Sequence, residues 1–194
     1  MTPTPADAAQ VLRTELLEAG WSVTFEGTST MQAELHLIIL NDPAGLIGAE
    51  LRSHREIGTS SGLFGIDTDT RNRLRPGAAG RWTANLADLP ASVILAAASA
   101  AADPGTGTVG ERLTAAGWHS SREIRSEDGA QLIEQAWTSP QRWREVEYLP
   151  PCRHDEGLFT IFRPHPNSAS TRWVDDVNAT GTTPPAIVAA VATS

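Results

Sequence analysis

Lysine is missing from this chain: all 15 basic residues among its 194 are arginine. That absence removes Schiff-base chemistry, the phosphate-binding lysine of a P-loop and any ammonium nucleophile. With abundant Ala, Gly and Thr, it has the look of a high-GC genome rather than a functional device. Cysteine is almost as scarce. Cys152 stands alone, which excludes an internal disulfide and a Cys-rich zinc site. Long apolar runs are lacking, with no stretch near the ~20 residues of a membrane span. The opening Met1-Thr2-Pro3-Thr4-Pro5-Ala6-Asp7 has neither the basic nor the apolar region of a secretory signal, so a cytoplasmic protein is expected. Nor is there an excess of positive charge. Against 23 acidic residues the net charge is -8, and residues 1–104 and 105–194 are each acidic on balance. Neither half therefore offers a polyanion-binding face of the usual electrostatic kind.

One phrase is present twice. Leu16-Leu17-Glu18-Ala19-Gly20-Trp21 returns as Leu113-Thr114-Ala115-Ala116-Gly117-Trp118, 97 positions later. In each, helix formers stop at a Gly suited to a left-handed cap, and a Trp opens an extended segment. Asp42-Pro43 against Ser139-Pro140 repeats at 97, Gly62-Leu63-Phe64-Gly65-Ile66 against Gly157-Leu158-Phe159-Thr160-Ile161 at 95, and Arg81-Trp82 against Arg172-Trp173 at 91. These offsets predict a duplicated domain, with copies over residues 1–104 and 105–194 divided at Asp103-Pro104-Gly105-Thr106-Gly107.

Within the first copy, Val11, Leu12, Glu15 and Leu16 have helical spacing, with Asp7 as N-cap. Trp21, Val23 and Phe25 alternate with polar residues as in a half-buried strand. Leu35 to Leu40 and Leu46 to Arg52 flank Asn41-Asp42-Pro43-Ala44-Gly45 as a hairpin. The stretch from Ser53 to Gly62 reads as a polar connection, Leu63 to Ile66 and the segment after Trp82 as strands, and Pro90 to Ala101 as a helix. The second copy repeats this order and closes with Thr183 as N-cap and Pro184 as first helical residue. The fold class expected is α+β: two tandem α-β(4-5)-α units, each an antiparallel sheet with helices packed on one face.

Ser139-Pro140, Tyr148-Leu149-Pro150, Trp173 and Thr183-Pro184 before an Ala/Val-rich helix form a pattern. It resembles the SPDY-motif domain of unknown function, a family of high-GC Gram-positive bacteria usually present in two tandem copies. Gln141 occupies the family's Asp position, and Leu51-Arg52-Ser53 stands in the first copy for Tyr-Leu-Pro. The resemblance implies the tandem layout and brings no catalytic residues.

Four motifs suggest chemistry, and each has a plainer explanation. Gly58-Thr59-Ser60-Ser61-Gly62 matches a nucleophile elbow by letter, but a polar segment precedes it and a strand follows, the wrong order. Gly105-Thr106-Gly107-Thr108-Val109-Gly110 matches a dinucleotide fingerprint without the strand that must precede it, and reads as a linker. Asp67-Thr68-Asp69-Thr70-Arg71-Asn72 starts like a calcium loop but lacks the sixth-position Gly and the twelfth-position Glu. Cys152, His154, Asp155 and Glu156 are close in sequence without metal-ligand spacing. No catalytic residue, metal or cofactor is expected from them.

Six Trp remain to be explained. Trp21, Trp118, Trp82 and Trp173 recur at matching places, which favours structural duty. Trp137 and Trp143 straddle the second hairpin turn beside Arg142 and Arg144, a pairing suited to an interface anchor. The expected interaction surface is Trp137, Arg142, Trp143 and Arg144, with Arg71, Arg73 and Arg75. The function expected is a non-catalytic module that binds a protein partner, with no membrane association. The alternative is a single-stranded nucleic-acid binder, in which Trp stacks bases and Arg meets phosphates, although the net charge disfavours it.

Overall fold

A proline opens the first helix, α1 (Pro5–Glu18), where its missing N–H costs nothing. Asp7, expected as the cap, lies inside the first turn because that proline starts the helix two residues earlier. The computed structural model describes residues 5–28, 35–54, 58–66, 83–86, 91–153, 155, 157–164 and 173–194. After α1 come β1 (Ser22–Thr28), β2 (Leu35–Asn41), β3 (Ile47–His54), β4 (Gly58–Gly65), β5 (Thr83–Leu86) and α2 (Ala91–Ala102). The second copy follows as α3 (Val109–Ala115), β6 (His119–Arg125), β7 (Leu132–Thr138), β8 (Glu145–Leu149), β9 (Leu158–Pro164), β10 (Trp173–Thr180) and α4 (Pro185–Thr193). Each copy is thus an α-β-β-β-β-β-α unit, as the duplicated phrases require. None of the described helices is long and apolar enough to cross a membrane.

The repeated phrase folds the same way twice, atom for atom. In the first copy the Trp21 N–H donates to the Leu16 carbonyl (3.0 Å) and the Gly20 N–H to Leu17 (3.0 Å). In the second the Trp118 N–H donates to Leu113 (2.9 Å) and the Gly117 N–H to Thr114 (2.9 Å). Both form the two-bond helix stop that a left-handed C′ residue permits, with Gly20 at φ 88° and Gly117 at φ 85°. The residues it brings together, Leu16 with Trp21 and Leu113 with Trp118, are buried in the core. A short linker precedes the second stop, and the Arg112 guanidinium holds it by donating to the carbonyls of Pro104 and Thr106.

The described strands form one antiparallel sheet in the order β1-β2-β3-β4-β5-β10-β9-β8-β7-β6. The two five-stranded sets are joined where β5 pairs with β10, through Val177 with Leu86, Asn178 with Asn85 and Ala179 with Ala84. The central pair is equivalent to itself: each asparagine is its copy's counterpart of the other. A local twofold axis therefore passes between Asn85 and Asn178, relating the copies.

Helices cover one face. α1 packs on β3, β4 and α2, α2 packs on α4, and α4 on α3. α4 is buried on nearly every side at Ala186, Ile187, Val188, Ala189, Val191 and Ala192, the pattern of a helix enclosed by neighbours rather than an amphipathic surface helix. α4 starts one residue later than expected, since Pro184 takes the N-cap place without a side-chain cap bond. α2 starts at Ala91, and Pro90 lies outside the described residues. Beneath the helices, Ile38, Leu40, Ala49, Leu51 and Leu63 join Trp137, Val146, Phe159, Ile161 and Val177 in a core that runs unbroken through both copies.

Two expectations about strands are corrected. Most of the stretch from Ser53 to Gly62 is strand, because β3 continues to His54 and β4 starts at Gly58. Hydrogen-bond ladders to neighbours on both sides hold β4, so it does not need an alternating apolar pattern along its whole length. The match of Gly62-Leu63-Phe64 with Gly157-Leu158-Phe159 is also out of register. Leu63 pairs with Ala49 and Ile161 with Val146, and Ala49 and Val146 are themselves 97 apart. The counterpart of Leu63 is thus Ile161, at 98 positions, whereas Leu158 pairs with exposed Leu149 and belongs to the opposite face.

Candidate functional site

The expected surface around the second hairpin turn is only partly a surface. Trp137 is 5% exposed and belongs to the core. It occupies a helix-facing position of β7 opposite buried Val146, and its ring lies against Gly110 of α3, where an added Cβ would come within 2.9 Å of Cζ2. Arg144 is committed elsewhere: its guanidinium donates to the carbonyls of Ala192 (2.8 Å) and Ser194 at the end of α4, where a cation complements the helix dipole. Arg142 is exposed in the turn at φ 58°. Trp143 is 68% exposed, and of the four it alone presents a large apolar surface to solvent. Arg71, Arg73 and Arg75 lie outside the described residues.

The turn that carries Trp143 is an exact counterpart of the turn between β2 and β3, apart from the side chains. Asp42, buried, accepts N–H bonds from Leu46 (2.6 Å) and Ile47 (2.9 Å) on Oδ1 and from Ala44 (3.0 Å) on Oδ2. Ser139, also buried, accepts from Trp143 and Arg144 (both 3.1 Å) on Oγ. Pro43 and Pro140 each rest 3.4 Å from where a Cβ of Gly20 or Gly117 would be. The Ser-Pro dipeptide of the motif is therefore a structural fixture, and so is Tyr148, which stacks on Phe159 with ring centroids 4.3 Å apart. Burial raises the Tyr148 phenol pKa above its ordinary value.

The other motifs lie only in part among the described residues. Ser60 and Ser61 sit within β4, paired with Arg52 and Leu51, and not on a strand-to-helix turn. Cys152 is exposed, and its backbone exchanges hydrogen bonds with that of Asp155 (2.9 and 3.2 Å) in the β8–β9 connection. His154 and Glu156, and the segment from Asp67 to Asn72, lie outside the described residues. Among the described residues no three His, Cys, Asp or Glu side chains gather as metal ligands.

The surface with most to offer is the sheet face opposite the helices. Its first-copy half is mainly apolar, with one ion pair, Arg52 to Glu50, beside the apolar residues. β1 has a bulge between Val23 and Phe25, so Val23 pairs with buried Leu40 while Phe25 pairs with Ile39 on the opposite face. Phe25 is 49% exposed there, its ring over Gly27, instead of on the helix-facing side with Trp21 and Val23 as strict alternation implied. Leu37, Ile39 and Phe64 share that face, half-buried, and the Phe64 ring lies against Gly48.

Register assigns a counterpart to each of these positions in the second copy. Arg122 stands for Phe25, Glu134 for Leu37, Ala136 for Ile39 and Glu145 for Gly48, while Glu147 matches Glu50. There Arg122 bridges Glu134, Glu145 (3.4 Å) and Glu147 (2.8 Å). Between the halves, near the twofold axis, the Thr160 hydroxyl donates to Asn178 Oδ1 (3.2 Å). One face is thus divided into a mainly apolar half and a charged one. The bulge that turns Phe25 to this face recurs between Ser120 and Arg122, and the alternation of the strand gave no sign of it. No protein-family model, curated protein or solved structure matches this chain.

Proposed function

We propose that this chain is a non-catalytic, cytoplasmic binding module that engages a protein partner through the helix-free face of its sheet. The observation that carries this reading is the divergence of equivalent positions. The central helix-facing pairs stay apolar in both copies, Leu40 with Ala49 and Trp137 with Val146, whereas on the opposite face Arg122, Glu134 and Ala136 stand where the first copy has Phe25, Leu37 and Ile39. A face serving only as a solvated exterior has no use for a Phe, a Leu and an Ile side by side, and such patches accompany interaction sites. Kinship with the SPDY-motif family belongs to the same proposal and rests on the tandem layout and the Ser-Pro and Tyr-Leu-Pro landmarks.

Single-stranded nucleic acid is the less favoured partner. On that face the carboxylates of Glu50, Glu134, Glu145 and Glu147 outnumber and engage the guanidinium groups of Arg52 and Arg122, Trp137 cannot stack a base, and Arg144 is engaged with α4. The deciding experiment places a photo-cross-linking side chain at Leu37, and separately at Glu18 on α1, in the tagged protein within its native host. Adducts from Leu37 that vanish in a Phe25→Ser, Ile39→Ser variant are expected. Adducts from Glu18 alone, or adducts to RNA alone, would overturn the proposal.

A further inference from the structure

The two edges of the sheet are the same strand in two copies, yet they are guarded differently. β6 is exposed along its whole length, carries Arg122, Glu123 and Arg125, and breaks register with β7 twice. Charges and bulges of this kind keep an edge from accepting another strand. β1 breaks register once and carries a single charge, Glu26, which Arg13 (3.3 Å) and His36 (3.6 Å) engage. On its other side Phe25 stands exposed at the edge. The duplication supplies an internal comparison: one edge has been closed to strand addition and its counterpart has not.

We infer that β1 pairs antiparallel with β1 of a second copy of this chain, across a twofold axis at Phe25. The register follows from charge. An axis at Glu26 would set two carboxylates opposite each other, which is destabilising, whereas an axis at Phe25 sets Glu26 against the second copy's Thr24. In that register Phe25 meets its own counterpart as a cross-strand aromatic pair on the helix-free face. The contact is isologous and closed, so it makes a dimer and not a fibre, because the guarded β6 edges remain at the outside. The dimer also joins the two apolar half-faces around the new axis, doubling the patch formed by Phe25, Leu37 and Ile39. This goes beyond the binding reading and does not depend on it.

A seven-residue edge is small, so dissociation in the range of ~10–500 µM is expected for an interface at the low end of the size range. Sedimentation equilibrium of the full chain, from about 10 µM to about 1 mM, brackets that range. A concentration-dependent dimer is expected. The Phe25→Lys variant, which opposes two cations at the axis, should weaken it at least ~10-fold, while Ile124→Lys on β6 leaves it unchanged. A chain monomeric throughout, or one that Phe25→Lys does not weaken, overturns the inference. Should Phe25→Lys fail to keep the native circular dichroism, hydrogen exchange of the unaltered chain at both ends of the range decides. Protection gained in β1 supports the pairing, and protection gained only elsewhere overturns it.

Discussion

Asp42 and Ser139 do one job with different atoms, and the difference is testable. Each is a buried acceptor for N–H groups that the turn would otherwise leave unpaired. Asp42→Ala should cost roughly 1–3 kcal/mol, the penalty of leaving buried donors unsatisfied. Asp42→Ser should cost less than Asp42→Ala, because Ser at the equivalent place already bonds the same two backbone groups. Urea midpoints of the two variants check the order. Arg142 and Gly45 make a second such comparison, 97 positions apart at φ 58° and φ 68°. A side chain in that conformation is strained where Gly is not, so Arg142→Gly should raise stability by up to ~1 kcal/mol and Gly45→Ala should lower it by a similar amount. A fall on Arg142→Gly would show that its side chain contributes more than its backbone costs.

At the scale of elements, α3 shows how a helix of seven residues is made to start. Thr108 and Glu111 form a capping box, the Thr108 hydroxyl accepting from the Glu111 N–H (3.2 Å) while Glu111 Oε2 accepts from the Thr108 N–H (2.7 Å). The Thr108 backbone bond, then its hydroxyl, lowers the Glu111 pKa below the ordinary 4.5. A carboxylate whose pKa falls on folding contributes stability that is present above its unfolded value and is lost as pH drops through the folded one. The acid limb of the stability profile should therefore flatten below about pH 4.5 in Glu111→Gln, because that variant is less stable at neutral pH and has no carboxylate contribution to lose in acid. An unaltered acid limb would mean that the carboxylate charge is irrelevant to the cap.

Much of the element order was legible, because Gly-Trp stops, hairpin turns and Pro-led helices are local signals. What escaped is whatever depends on facing. Trp137 looked like a partner of Trp143 because both flank the turn, but strand alternation puts Trp137 opposite Val146 and under α3. Phe25 looked buried because nothing local announces a bulge at Thr24. The Gly-Leu-Phe match misled because letter identity carries no register, and an odd slip reverses the face.

For the molecule as a whole, the question is whether the duplication leaves two folding units or one. Each copy alone would bury a small core, and the backbone pairs joining them at β5 and β10 are few. The side chains argue the other way. Val177, Ala179, Ile187 and Val188 of the second copy share one buried cluster with Leu40, Leu63, Val93 and Ile94 of the first, and α2 and α4 pack directly together across the twofold axis. Removing part of that cluster in one copy should therefore weaken both. Leu40 is fully buried on β2, so Leu40→Ala should cost roughly 2–5 kcal/mol through lost burial and the cavity it leaves. Hydrogen exchange under mild denaturant reads out β2 and β7 separately. A single cooperative unit predicts that the slowest amides of β7, in the untouched copy, accelerate as much as those of β2. Acceleration confined to β1 to β4 would mean that the copies unfold independently and that the joint at β5 and β10 is a contact between two domains, not the middle of one.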